Sequence, residues 1–175
     1  MNLAQPWQDF DEAVLFYTSV LGLASGASTD VPGPSGLVRS QVMRTEDGVL
    51  RIPLNMAPPT APLPAQHVAI ACDDVVGAAR RARARGLRFL PVPANYYDNL
   101  AARFDLDEAF LAELRELDLL YDREPRPDGS TGEFLHFYTP TLGGVFLELL
   151  ERRGGYDGYG APNAAVRLAA QRASA

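Results

Sequence analysis

Apolar and polar positions change period repeatedly along this chain, and each change marks an element. Residues 9–21 carry Phe10, Val14, Tyr17 and Leu21 at helical spacing. Asp9 or Asp11 can cap the start, and Gly22 closes the end. The period then shortens toward two. Residues 23–29 read as a short strand, 30–36 as a Pro/Gly-rich turn and 37–45 as a strand. Asp47-Gly48 predicts a hairpin turn into a strand at 49–55. The proline-rich stretch 58–65 reads as a linker. A second series follows: a strand at 66–71, a helix capped by Asp73-Asp74 and closed by Gly86, and a short strand at 87–90. Then come an insertion with a helix at 107–117 and strands at 119–123, 134–138 and 145–150. A closing helix covers 163–172. The arginines at 80, 81, 83 and 85 read as the solvated face of their helix.

Three strand-like runs are interrupted by side chains that do not belong in an apolar strand. His67 sits in Gln-His-Val-Ala-Ile-Ala, His136 in Phe-Leu-His-Phe-Tyr and Glu148 in Val-Phe-Leu-Glu-Leu-Leu. A buried carboxylate costs several kcal/mol unless it is paired or bound to a metal. Two imidazoles and one carboxylate are the set that makes a facial triad for non-heme iron. Taken singly, a histidine on an apolar strand is more often a hydrogen-bonded core residue, and a strand glutamate can simply face water. Both histidines of the chain fall in such runs, which favours the joint reading. Glu151, Arg152 and Arg153 read as surface charges.

Composition narrows the classes. With 175 residues and 47% hydrophobic side chains the chain can bury a proper core. A net charge of −6 argues against a nucleic-acid partner. The single cysteine, Cys72, excludes an internal disulfide and fits a cytoplasmic protein. No run approaches the roughly 18 apolar residues of a membrane span, and the first residues do not read as a signal peptide.

Asp11-Glu-Ala-Val-Leu-Phe-Tyr17-Thr-Ser-Val-Leu-Gly22 resembles the first helix of the vicinal-oxygen-chelate superfamily. Gln66-His67, Tyr96-Tyr97-Asp98, Leu120-Tyr-Asp-Arg123 and Phe146-Leu-Glu148-Leu-Leu-Glu-Arg resemble the iron-binding half of 4-hydroxyphenylpyruvate dioxygenase. The ending, Gly154 through Gln171, is more similar to the dioxygenase-like domain fused behind bacterial 3-dehydroshikimate dehydratase. The resemblance implies an α+β fold of paired βαβββ modules in a curved, half-open mixed sheet. The modules would be 1–57, with its first strand missing, and 66–175. It implies metal ligands at His67 and Glu148, and a further histidine ahead of the first helix that this sequence does not contain. A fragment would explain that, or His136 would complete the set. Ser40 and Asn55 would face an organic ligand. Two departures, Ala164 for a phenylalanine and His136 for a glutamine, point away from 4-hydroxyphenylpyruvate itself.

The expected function is therefore a metal-dependent, dioxygenase-like domain binding a small oxo acid or related carboxylate. Fe(II) is the expected metal, with Mg(II) or Mn(II) as alternatives. The competing expectation is a non-catalytic module of a fused 3-dehydroshikimate dehydratase with a structural or vestigial metal site. A ligand-sequestering homo-oligomer is the third.

Overall fold

The computed structural model describes residues 1–33, 36–57 and 66–173, so the 58–65 linker and part of the 30–36 turn lie outside the described residues. The chain divides into two units. One comprises Met1–Ala69 with Thr141–Phe146, the other Ile70–Pro140 with Leu147–Ala175.

The first unit holds β1 (Leu3–Pro6), α1 (Phe10–Ser19), β2 (Ala24–Gly33), β3 (Gly36–Arg44) and β4 (Arg51–Ala57), in the sheet order β1-β4-β3-β2. β2, β3 and β4 pair antiparallel, while β1 runs parallel to β4. The opening strand, expected to be missing, is thus present. Four residues suffice because Leu3–Pro6 needs only to match Leu54–Ala57 along one open edge, and Pro6, which lacks an N–H, ends it. Apolar spacing along α1 predicts its buried face in part. Phe10 joins Leu23, Met43, Ile52 and Leu54 in the core, with Val14 and Tyr17 against it. Leu21 lies beyond the helix and is exposed. The Asp47-Gly48 turn forms as expected, with Gly48 at φ 68° and its N–H donating to the Thr45 carbonyl.

The second series contains β5 (Gln66–Ala71), α2 (Val75–Ala84), α3 (Ala94–Arg103), α4 (Glu108–Glu116), β6 (Leu120–Pro125), β7 (Thr131–Tyr138), β8 (Val145–Arg153) and α5 (Ala164–Ala173). Its sheet order is β5-β8-β7-β6, the same permutation as the first sheet. Each series is therefore a βαβββ motif, the second with α3 and α4 inserted, and the α+β class follows. Asp74 and Asp107 cap α2 and α4 by accepting backbone N–H groups.

Two sequence expectations need correction. Residues 87–90 form no strand. They are held instead by a hydrogen bond from Leu90 N–H to the Tyr138 carbonyl and by Phe89 stacked on Phe137. Glu151 is not a surface charge. It is buried, accepts the Val75 N–H at the start of α2 and pairs with Arg153, which suits a carboxylate at a helix N-terminus. Arg80 and Arg81 of α2 and Arg85 just beyond it are exposed as expected, Arg83 is half-buried, and Arg80 and Arg83 reach Glu113 and Asp118.

Candidate functional site

Strand alternation puts Phe134, His136 and Tyr138 of β7 on one face, together with Glu148, Leu150 and Arg152 of β8. Tyr138 lies directly opposite Glu148, and His136 directly opposite Leu150, so His136 and Glu148 are diagonal neighbours. Their side chains meet. His136 Nδ1 is 2.7 Å from Glu148 Oε1, with His136 0% and Glu148 4% exposed. The carboxylate that looked misplaced in sequence is thus buried against a donor. Burial, with the negative charge of Glu148 next, pushes the Tyr138 hydroxyl well above its ordinary value, so it remains a protonated phenol.

The other side of the His136 ring is equally committed. Nε2 lies 3.0 Å from Asn163 Nδ2. Asn163 is buried at the end of a short 3₁₀ turn, Ala161–Asn163, just ahead of α5. Its amide also donates to the Tyr121 carbonyl at 3.3 Å, and its Oδ1 accepts from the Tyr96 hydroxyl at 3.1 Å. The Tyr96 oxygen in turn accepts the Tyr121 N–H at 2.8 Å. Tyr121 belongs to β6, the edge strand of its sheet. Its outward backbone groups, which would otherwise lack partners, are satisfied by a tyrosine from α3 and an asparagine from the turn before α5. Beside this circuit Phe134 stacks on Tyr156, whose hydroxyl donates to Asp122 Oδ2 at 2.7 Å. Gly160, at φ 70°, passes so close that a Cβ there would sit 2.6 Å from the Phe134 ring.

In the first unit, His67 is 7% exposed. Its backbone pairs with that of Asn2, and its ring lies 4.8 Å from that of Phe146. Ser40 and Asn55 face each other across β3 and β4. Ser40 is fully buried. The Asn55 amide donates to Asn2 Oδ1 at 2.8 Å, while its own Oδ1 is buried without a hydrogen-bond partner. A buried acceptor in that state is an energetic liability that a ligand donor would relieve.

Of the five residues read as site residues, the structure pairs His136 with Glu148 and Ser40 with Asn55. Among the described residues no group of three or more His, Cys, Asp or Glu side chains is arranged to hold a metal. Sequence reasoning missed Asn163 as a partner of His136 and Tyr96 as a partner of Asn163. The available signal was weak: a Tyr-Tyr pair in a polar insertion and an asparagine at a helix start, both of which have ordinary structural roles.

Five of the seven tyrosines, at 96, 97, 121, 138 and 156, have hydroxyls raised above their ordinary value, burial being the leading cause. Each is therefore a group whose neutral form the fold favours. The stability this gives is fully present below about pH 10, where free phenols ionise, and is lost as pH rises beyond it. Absorbance at 295 nm followed together with circular dichroism should show these five phenols ionising only as the chain unfolds in alkali. Seven tyrosines titrating together near pH 10 in a folded chain would contradict the burial described.

Residues 3–149 match the Glyoxalase/Bleomycin resistance protein/Dioxygenase superfamily. The 3-dehydroshikimate dehydratase of Pseudomonas putida is 42% identical over 97% of this chain, but over only 28% of its own length. The 4-hydroxyphenylpyruvate dioxygenase of Pseudomonas aeruginosa is 30% identical over 85% of this chain and 44% of its own. A solved structure described as a xylose isomerase-like TIM barrel/4-hydroxyphenylpyruvate dioxygenase fusion protein superposes with a TM-score of 0.82 and 38% identity. It covers 100% of this chain and 29% of that one. The chain thus spans less than half the length of each of these relatives. No helix among the described residues is long and apolar enough to cross a membrane. The resemblances read from the sequence hold, and with its repeated βαβββ motif this chain belongs to the Glyoxalase/Bleomycin resistance protein/Dioxygenase superfamily.

Proposed function

We propose that this chain is a metal-dependent, dioxygenase-like domain that binds a small oxo acid or related carboxylate. The observation that carries the reading is the Glu148 carboxylate, buried on an apolar strand and held 2.7 Å from the His136 ring. A carboxylate kept in such a place is expensive unless it serves something, and an oxygen ligand for a hard cation is the role its chemistry suits. An imidazole and a carboxylate are donor types that a divalent cation takes. His136 has both ring nitrogens in hydrogen bonds, so its part is to hold Glu148. Glu148 and His67 are the proposed ligands, His67 on the sequence pattern alone. When bound, the cation, Fe(II) first and Mg(II) or Mn(II) next, supplies a Lewis acid that a 2-oxo carboxylate can chelate. The chain's own contribution is to orient Glu148, to keep that strand face dry with Phe134, Tyr138 and Leu150, and to contact the organic ligand through Ser40 and Asn55. The unpartnered Asn55 Oδ1 supports the last assignment.

Anaerobic Fe(II) titration followed by oxygen uptake with a panel of 2-oxo acids tests the reading. Stoichiometric metal binding and substrate-dependent oxygen consumption are expected. A chain that takes up no metal would refute it.

A second reading is a non-catalytic module of a fused 3-dehydroshikimate dehydratase. It is favoured by the 42% identity confined to 28% of that relative and by a histidine committed to hydrogen bonds. Metal binding without oxygen consumption for any acid of the panel would support it. A cytoplasmic location, a small carboxylate ligand, and a homo-oligomeric or dehydratase-fused state belong to the same proposal.

A further inference from the structure

We infer that Asn163, locked by the Tyr96 hydroxyl and the Tyr121 backbone, fixes the tautomer of His136 and through it aims the Glu148 carboxylate. The argument is one of donors and acceptors. The Tyr121 carbonyl can only accept, so the group of Asn163 that faces it must be the NH₂. Turning the amide over would set two oxygens against each other. It would also take the Oδ1 acceptor away from the Tyr96 hydroxyl, which would then have the Tyr121 carbonyl at 2.9 Å as its acceptor. With the amide so oriented, its other N–H points at His136 Nε2, which must therefore be the bare, accepting nitrogen. The ring proton then sits on Nδ1 and is donated to Glu148 Oε1. The Tyr96 hydroxyl proton is shared between the Tyr121 carbonyl at 2.9 Å and Asn163 Oδ1 at 3.1 Å, and every other proton in the circuit has one acceptor. Tyr96 lies in α3 and Asn163 just before α5, so the inserted helix and the closing helix together set the orientation of a carboxylate on β8.

His136 and Asn163 are thus positioning residues. The circuit also accounts for histidine at this place. A glutamine side chain has the same polarity, an N–H to give to Glu148 and an oxygen to receive the Asn163 N–H. The consequence for a metal rests on the reading of Glu148 as a ligand; the tautomer itself does not.

The test uses the full chain labelled with ¹⁵N-histidine. It contains two histidines, so His136→Gln assigns the spectrum by loss of one set of signals. The expected wild-type spectrum has a protonated Nδ1 and an unprotonated Nε2 on His136. In Asn163→Asp, whose carboxylate can only accept, Nε2 is expected to gain the proton. Mn(II) affinity by calorimetry should fall about 10- to 100-fold in Asn163→Asp, the usual effect of losing an outer partner of a ligand. It should stay within a few-fold of wild type in His136→Gln. A wild-type His136 protonated on Nε2, or ring shifts unchanged by Asn163→Asp, would overturn the inference. Should Asn163→Asp fail to fold, the wild-type nitrogen shifts still decide it. Should the wild type bind no Mn(II), the ligand role of Glu148 falls while the shifts still read the tautomer.

Discussion

In Glu148→Ala, divalent-metal binding is expected to be lost by more than about 100-fold, beyond the range for removing an outer partner of a ligand. The reason is chemical. A hard cation needs an anionic oxygen held at a fixed place, and Glu148 is the buried carboxylate on its strand face, fixed by the His136 contact. Glu148→Gln keeps the shape but offers only a neutral oxygen, so its affinity should fall between the two. The alanine change also leaves the His136 donor without Glu148, which costs about 1–3 kcal/mol. For a chain of this size each kcal/mol lowers Tm by about 2–4 °C. A separate control distinguishes lost binding from lost fold. Glu151→Gln removes another buried carboxylate, the one that accepts the Val75 N–H at the start of α2. It alternates to the opposite face of β8 and should lower Tm while leaving metal affinity intact. Calorimetry with Mn(II) beside a thermal melt of each variant checks both expectations.

The second large effect is on stability. His136→Ala should cost about 3–5 kcal/mol, the range for truncating a fully buried ring to alanine. Three losses combine. Glu148 would lose the ring N–H donated by His136. The Asn163 N–H would lose its acceptor. The ring also fills space between Phe134, at 4.5 Å, and Tyr138, at 5.2 Å, so its removal opens a cavity. His136→Gln preserves both hydrogen bonds and most of the volume, and should cost about 1 kcal/mol. Denaturant midpoints with unchanged slopes would establish both values. Equal destabilisation by alanine and glutamine would mean that ring packing, not hydrogen-bond polarity, is what this position supplies.

How much of this was legible in the sequence depends on the length scale involved. All the helices except α3, which was read only as the start of an insertion, and all but one of the expected strands could be read because their apolar periods are local properties of the chain. The strand expected at 87–90 failed because Phe89 and Leu90 are apolar for another reason. Phe89 stacks on Phe137, and Leu90 N–H donates one hydrogen bond to the Tyr138 carbonyl at the end of β7 rather than joining a ladder. The four-residue β1 was invisible because its stability comes from the edge of β4, fifty residues away. Glu148 and His136 were legible as misfits, since a polar side chain in an apolar strand needs a partner. That their partner is first of all each other, and that Asn163 and Tyr96 complete the set, is a matter of register and turn geometry. Nothing in the local pattern encodes it. Glu151 shows the converse. Its neighbours Arg152 and Arg153 made it look like a surface charge, while α2 places an unpaired N–H directly over it.

The claim on which the rest depends is that Glu148 is held where it is in order to bind a cation. Crystals of the chain soaked in Mn(II), with diffraction recorded at the manganese absorption edge, test it most directly. The account predicts an anomalous peak roughly 2.0–2.2 Å from a Glu148 carboxylate oxygen, with His136 still hydrogen-bonded to that carboxylate. A chain that binds Mn(II) elsewhere, or shows no peak beside Glu148 at saturating metal, would contradict it.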